Sequence, residues 1–390
     1  MDSVYDKKEN CYGCNACFNI CPTKAISTHE DEEGFLYPVI DNEKCTNCGL
    51  CKRTCPIYHH KDCQPDFNQK VYAVKHKTES TRLLSSSGGM FTAISDYILE
   101  KGGVIYGAGF EEGLKVCHQR ASTKPKRNEM RGSKYVQSDI GSIFRMIKKD
   151  RKNGKWVLFV GTPCQCAGLQ LFLQEEDCSK LILCDIVCHG VPSNRMWQEY
   201  RALIRRKKGV IKYHNFRTKI NGWHSMTSRN VFINGKEDYK SILSQVHMNL
   251  FLTDLLLRPC CYQCRFCDFQ RGSDITIADF WGVERSLPEF DDNKGISLVL
   301  INTQKGEELV NQVKDNLVII ESNLANCHQR NLEEPTPRPK NREEFWNDYQ
   351  AHGYEYIAKK YGNDTIKARV SSMLHSNVKG VKKFFTIKNH

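Results

Sequence analysis

The chain has 390 residues, 40% of them apolar and 26% charged, which excludes both a single small module and a disordered polyelectrolyte. Lys plus Arg outnumber Asp plus Glu 57 to 45, a formal net charge of +12, which favours acidic partners without naming their class. The opening MDSVYDKKEN is charged, and the longest apolar runs, LILCDIVC and LFLTDLLL, are short and each holds an Asp, so a secretory signal and a transmembrane segment are not expected. A cytoplasmic location follows as the expectation, and there the 20 cysteines belong to metal sites or stay reduced rather than forming disulfides.

Residues 1–62 carry an internal duplication. Cys11, Cys14, Cys17 and Cys21 followed by Pro22 spell C-x2-C-x2-C-x3-C-P, and the run returns as Cys45, Cys48, Cys51 and Cys55 followed by Pro56. The spacing resembles that of the bacterial two-cluster ferredoxin, in which three close thiolates hold one cubane and the fourth, beside the proline, reaches the other. On that resemblance cluster I takes Cys11, Cys14, Cys17 and Cys55, and cluster II takes Cys45, Cys48, Cys51 and Cys21, each as a 4Fe–4S centre that relays single electrons. A pair of zinc sites is the bland alternative, but zinc takes two C-x2-C knuckles per site, whereas each run here offers four thiols closed by proline.

From Val71 the periodicity changes to apolar strands alternating with amphipathic segments. In order these are the strand VYAVKH, the helix GMFTAISDYILEKG, the strand VIYGAGF, a basic loop, the helix IGSIFRMIKKDRKNG, the strand KWVLFVG and a helix over about 164–174. The strand KLILCDIVC, the helix SNRMWQEYRALIRRKKG, shorter strands in IKYHNFR and RNVFING, the helix SQVHMNLFLTDLLL and the strands DITIADF and ISLVLIN follow. A sheet flanked by helices is implied, in two parts, 70–153 and 154–330. Residues 331–390 turn polar and Pro-rich, then read as a helical, basic, accessory extension. The basic run 201–219 reads most simply as a solvated helix end; an anionic cofactor or substrate channel is the sharper alternative. No nucleic-acid module accompanies it.

The remaining cysteines form two groups. GTPCQ (161–165) and CHGVPS (188–193) each follow a predicted strand, at the carboxyl ends where open α/β sheets put their ligands; RPCCYQCRFC (258–267) precedes SDITIADFWG. Together with SSGG (86–89) and GSKYVQS (132–138), in this order behind a two-cluster ferredoxin, these motifs resemble the family of the β subunit of coenzyme F420 hydrogenase/dehydrogenase over about residues 1–330.

That resemblance implies an α+β ferredoxin-like N-terminal domain followed by an α/β flavin-binding domain and a helical C-terminal extension. It further implies FAD and an oxidoreductase that passes electrons between clusters, flavin and a redox partner, either an electron-carrier protein or the deazaflavin coenzyme, with an unknown, anionic substrate as a further candidate. Carried over by motif, Cys164, Cys188, Cys261 and Cys264 are the ligands of a third 4Fe–4S cluster; buried apolar thiols are the alternative for Cys164 and Cys188. For the flavin, Ser87, Gly88 and Gly89 before a helix let backbone N–H groups approach a pyrophosphate, Lys134 and Tyr135 offer a cation and an aromatic face, and Asp279 can bond a ribose or ring position. His189 is the candidate proton donor. A non-catalytic electron-transfer subunit is the first rival. Cys260, Cys264 and Cys267 also spell C-x3-C-x2-C, the spacing of a radical S-adenosylmethionine enzyme, so the choice among Cys260, Cys261, Cys264 and Cys267 stays open.

Overall fold

The computed structural model describes residues 3–59, 67–174, 177–327 and 329–364. Cys63 and the predicted extension beyond residue 364 lie outside the described residues.

In the first 59 residues, β1 (Ile26–Glu30) and β2 (Leu36–Ile40) pair antiparallel, and each cysteine run feeds a short helix, Ala16–Ile20 or Leu50–Arg53. The duplication is written in the backbone as well. Gly13 (φ 66°) and Asn15 (φ 58°) flank Cys14, and Asn47 (φ 54°) and Gly49 (φ 71°) flank Cys48. Glycine and asparagine tolerate this left-handed region best, and the alternation of hand turns successive N–H groups to one side, a concavity suited to an anion.

The rest of the chain is built on an eight-stranded sheet. Its strands are β3 (Lys70–His76), β4 (Val104–Phe110), β5 (Val116–Ala121), β6 (Val157–Gly161), β7 (Leu181–Ile186), β11 (Ile275–Asp279), β12 (Ser297–Ile301) and β13 (Leu317–Ser322), in the spatial order β13-β3-β12-β11-β7-β6-β4-β5. Four consecutive strands, β11, β7, β6 and β4, run parallel; the remaining pairings are antiparallel. Parallel strands need both faces covered. Ile105, Leu158 and Ile182 accordingly face helices Met90–Glu100 and Gln304–Val313, while Tyr106, Phe159 and Leu183 face helices Ile143–Lys152 and Pro163–Leu173.

A second layer joins helices Asn194–Lys207 and Ile242–Phe251 to a small antiparallel sheet of β8 (Ile211–Asn215), β9 (Arg229–Phe232) and β10 (Glu237–Asp238). The tail from 342 to 364 belongs to this layer and is not an accessory there. Phe345, Trp346, Tyr354 and Ile357, on helices Arg342–His352 and Tyr354–Lys360, are buried against it, and the buried Arg342 is paired with Glu33 of the N-terminal hairpin. The N-terminal module is bound elsewhere too: Asn19 Nδ2 donates to Gly141 O (2.9 Å), and the Arg145 guanidinium to Asn19 O and Phe18 O (both 2.7 Å). Among the described residues no helix is long and apolar enough to cross a membrane.

Candidate functional site

The carboxyl ends of the parallel strands β6, β7 and β11 open onto one cavity of about 580 Å³, where a sheet of this kind offers its ligand crevice. Each strand end delivers a polar or thiol group to it. After β6, Thr162 and Gln165 form a capping box with Pro163 in the first turn, which stops the strand and starts a helix at once; Cys164 therefore sits on a rigid helix N-terminus, its sulfur 3.2 Å from Thr162 Oγ1. After β7 come Cys188 and His189. The turn Pro259–Gln263 brings Cys260 and Cys261, and Cys264 follows it.

Cys164, Cys188, Cys261 and Cys264 all line the cavity and act on one another electrostatically. Burial pushes the Cys164 thiol up to about 12, with Cys264 the next cause and Cys261 a smaller one. Burial also raises Cys188 well above the usual thiol range, helped by Cys261, Cys164 and Cys264. Cys264 is raised by its contact with Cys267 and by burial, whereas Cys261 is lowered by its contact with Cys260; ligation requires the thiolate, so a metal centre bound by these four would displace their protons. Cys260 and Cys267 line the same wall as close neighbours of Cys261 and Cys264 respectively. Cys260, Cys264 and Cys267 thus do not stand apart as a separate trio.

The N-terminal thiols show the same logic. Burial raises Cys14 well above the thiol range, followed by Cys55 and Cys17; burial raises Cys17, followed by Cys11 and Cys55. Cys51 is raised by burial, with Cys48 and Cys45 adding to it. Cys21 moves the other way: hydrogen bonds, from Thr23 first and from Ala25 N (3.3 Å), outweigh its burial. The Cys11, Cys14, Cys17 and Cys55 set lies inward, with Cys14 buried, whereas Cys48 is exposed. Among the described residues no three His, Cys, Asp or Glu side chains are spaced to hold a single metal ion; a cubane instead presents one iron to each of four thiolates.

The two sets meet at Gly168. A Cβ there would come 2.9 Å from the Cys14 sulfur, so the helix that bears Cys164 gives up a side chain one turn later to let Cys14 in. Cys164 in turn acts on Cys14 directly.

The other sequence candidates divide. Gly89, with φ 99° at the start of helix Met90–Glu100, lines the cavity. Ser87 also lines it, but its hydroxyl donates to Ile296 O (2.6 Å) and Ala278 O (3.2 Å). Gly88 is not on the wall: its missing Cβ is what lets β3 and β12 close over it, at 2.1 Å from Val74 O. The Lys134 ammonium reaches the carbonyls of Glu129, Met130 and Arg131 (2.8 to 3.2 Å) and burial pulls it down to about 7. Tyr135 packs edge-on against Phe216 and Phe251, and its hydroxyl accepts from Arg217 at 3.4 Å. Asp279 binds Arg217 and accepts from Trp223 Nε1 at 2.8 Å. His189 is held between Asp254 (2.5 Å from Nε2) and Asn331 (3.2 Å from Nδ1).

Arg217, Arg131 and Arg258 also line the cavity, and sequence reasoning alone does not single them out. Arg217 lies in the basic run 201–219 with nothing to separate it from its solvated neighbours; it is buried, raised beyond the usual guanidinium range by Tyr135 and Asp279 against its burial. Arg258 opens one of the quoted motifs, where its position carries no role by itself.

Residues 154–326 match the family model for the C terminus of the coenzyme F420 hydrogenase/dehydrogenase beta subunit, and residues 10–58 match the 4Fe-4S dicluster domain. Residues 154–326 thus carry the C-terminal domain of that β subunit, behind an iron–sulfur dicluster domain. The chain is 25% identical over 365 residues to a coenzyme F420-dependent sulfite reductase of Methanocaldococcus jannaschii, covering 90% of this chain but only 54% of that protein; it therefore spans about half the length of that relative. Its ferredoxin segment is 32% identical over 78 residues to the 7Fe ferredoxin of Hydrogenibacillus schlegelii, which covers 19% of this chain and 92% of that one. A chain of the F420-reducing [NiFe] hydrogenase complex from Methanosarcina barkeri aligns with a TM-score of 0.45 at 17% identity, over 64% of this chain and 81% of that one.

Proposed function

We propose that this β-subunit relative is an iron–sulfur flavoprotein oxidoreductase that exchanges electrons between a two-electron carrier at its cavity and a one-electron carrier at its ferredoxin face. The observation that carries this reading is the convergence of Cys164, Cys188, Cys261 and Cys264 on the wall of a 580 Å³ cavity, with Cys14 seated against the helix that bears Cys164. The donor sets suit their groups: four mutually interacting thiols for a third cubane, and a cavity of cofactor size lined by Gly89, Arg131, Tyr135 and Trp281 for FAD. Bound there, FAD supplies the exchange of a hydride for two single electrons, and the clusters relay them.

The chain's own residues hold distance and protons. Arg217 and Asp279 lock β11 to the loop after β8 and keep Trp281 flat against Trp223, 4.9 Å apart at 4°. His189 faces the cavity with its ring oriented by Asp254, whose side chain is partly exposed, so a proton can reach the imidazole from solvent without passing through the core. Ferredoxin or the reduced deazaflavin coenzyme is the proposed redox partner; the exposed Lys52 and Arg53, on the helix that follows Cys48, favour an acidic carrier at that face. The test is anaerobic mixing with each donor while absorbance is followed. Bleaching of a flavin band, then of the cluster envelope, by reduced deazaflavin supports the proposal. Reduction of clusters in protein that never shows a flavin band favours an electron-transfer subunit without a flavin.

A further inference from the structure

Arg258 sits between the two cysteine sets with its charge unmatched by any carboxylate of the described residues. Its side chain is fully buried. Nε donates to Cys11 O (2.7 Å), Nη1 to Gln137 Oε1 (3.0 Å) and Nη2 to Leu36 O (3.1 Å), and Nη2 also lies 3.5 Å from the Cys11 sulfur. The guanidinium lies over two rings, 4.1 Å from the centre of Tyr37 and 5.4 Å from that of Phe35. Four other buried arginines find an acid: Arg82 has Asp292, Arg127 has Asp96, Arg217 has Asp279 and Arg342 has Glu33. For Arg258 no ion pair with Asp or Glu occurs among the described residues, and after burial the groups that act on it are Cys11, Tyr37, Cys260 and Cys261.

A buried cation without an anion is strongly unfavourable, and among the described residues the ionisable groups that act on it are the Cys11, Cys260 and Cys261 thiols and the Tyr37 phenol. Cys11 belongs to the inner ferredoxin set; Cys260 and Cys261 follow Arg258 closely in the turn that also carries the third set. The backbone N–H of Arg258 donates to Val191 O (3.0 Å), three residues past Cys188. One side chain thus ties Cys11 to the segment that carries Cys261.

We propose that Arg258 is the resident counter-charge of cluster I, a positioning residue that favours the reduced form of that cluster and so sets the direction of the step between it and the third cysteine set. The proposal rests on the iron–sulfur reading above. A cubane on four thiolates is anionic and gains one negative charge with each electron, so a fixed cation 3.5 Å from a ligand sulfur, in a water-poor site, raises its potential. The guanidinium fork adds geometry: it holds Cys11 O and Leu36 O at once, which a point charge cannot do.

The experiment is an anaerobic redox titration of the whole chain followed by electron paramagnetic resonance, on wild type, Arg258→Gln and Arg258→Lys, with iron and sulfide counted in each. The expected result is the largest shift to a more negative midpoint potential in one cluster signal of Arg258→Gln with iron retained, a smaller shift of the same sign in the third cluster, the outer ferredoxin cluster unmoved, and most of the shift recovered in Arg258→Lys. An unchanged potential in Arg258→Gln, or loss of iron from both variants, overturns the proposal, the latter because it makes Arg258 a scaffold residue only. Wild-type protein without iron or sulfide would instead refute the iron–sulfur reading itself, so the two failures are distinguishable.

Discussion

At the scale of single residues, Cys164 and Asp279 carry opposite kinds of evidence. Cys164 is a thiol acted on by Cys264, Thr162, Cys261 and Arg258, and a buried apolar thiol would not need other thiols beside it. Cys164→Ser should therefore remove about four of about twelve irons per chain and leave the ferredoxin signals in place; iron analysis with electron paramagnetic resonance reads both. Asp279, by contrast, is occupied by Arg217 and Trp223. Asp279→Asn leaves Arg217 buried and uncompensated, a change of about 3 kcal/mol in stability, to be read from the urea midpoint. The sequence shows the residue types at both positions but not their neighbours. Arg217 lies 62 positions before Asp279, and no spacing rule connects them.

At the scale of elements, the helix Pro163–Leu173 and the strand β5 decide how the site is held. Gly→Ala inside a helix ordinarily stabilises by about 1 kcal/mol; at Gly168 the sign reverses, because the added Cβ meets the Cys14 sulfur at 2.9 Å. Gly168→Ala should lower the urea midpoint and loosen cluster I, seen as lost iron. Strand β5 is not legible in the sequence, since VCHQRA puts three polar residues in a row. They are buried or half-buried because each has a partner: His118 bonds Ser138 (2.8 Å) and Val160 O (3.0 Å), Gln119 donates to Phe110 O (2.8 Å), and Arg120 binds Asp150. The edge strand β13 and helix Gln304–Val313 are likewise not signalled, whereas the long apolar strands and the strongly amphipathic helices are legible because their periodicity is decided by the sheet they pack on.

At the scale of the whole molecule, the N-terminal module, the sheet and the tail form one body around the cavity, and several histidines are buried neutral inside it. Burial lowers His118 to about 4, His214 to about 3 and His247 to about 4. Between those values and the ordinary 6.5 the unfolded chain binds more protons than the folded one. Stability therefore rises with pH across that window and is lost as pH falls through it. The urea midpoint should drop between about pH 6.5 and about pH 5, and His118→Gln should reduce that dependence. The overall architecture is readable from the duplicated cysteine runs and the α/β alternation; the docking of the tail through Phe345 and Arg342 is not, because a polar, Pro-rich lead-in at 333–341 hides the apolar stripe that follows it.

The central claim is that thiols from three segments of the chain hold an iron–sulfur cluster against a flavin. It is tested most directly by counting iron, acid-labile sulfide and flavin in protein purified without oxygen. The account predicts about twelve irons, about as many sulfides and about one FAD per chain; zinc without sulfide, or material with neither cluster nor flavin absorbance, would contradict it.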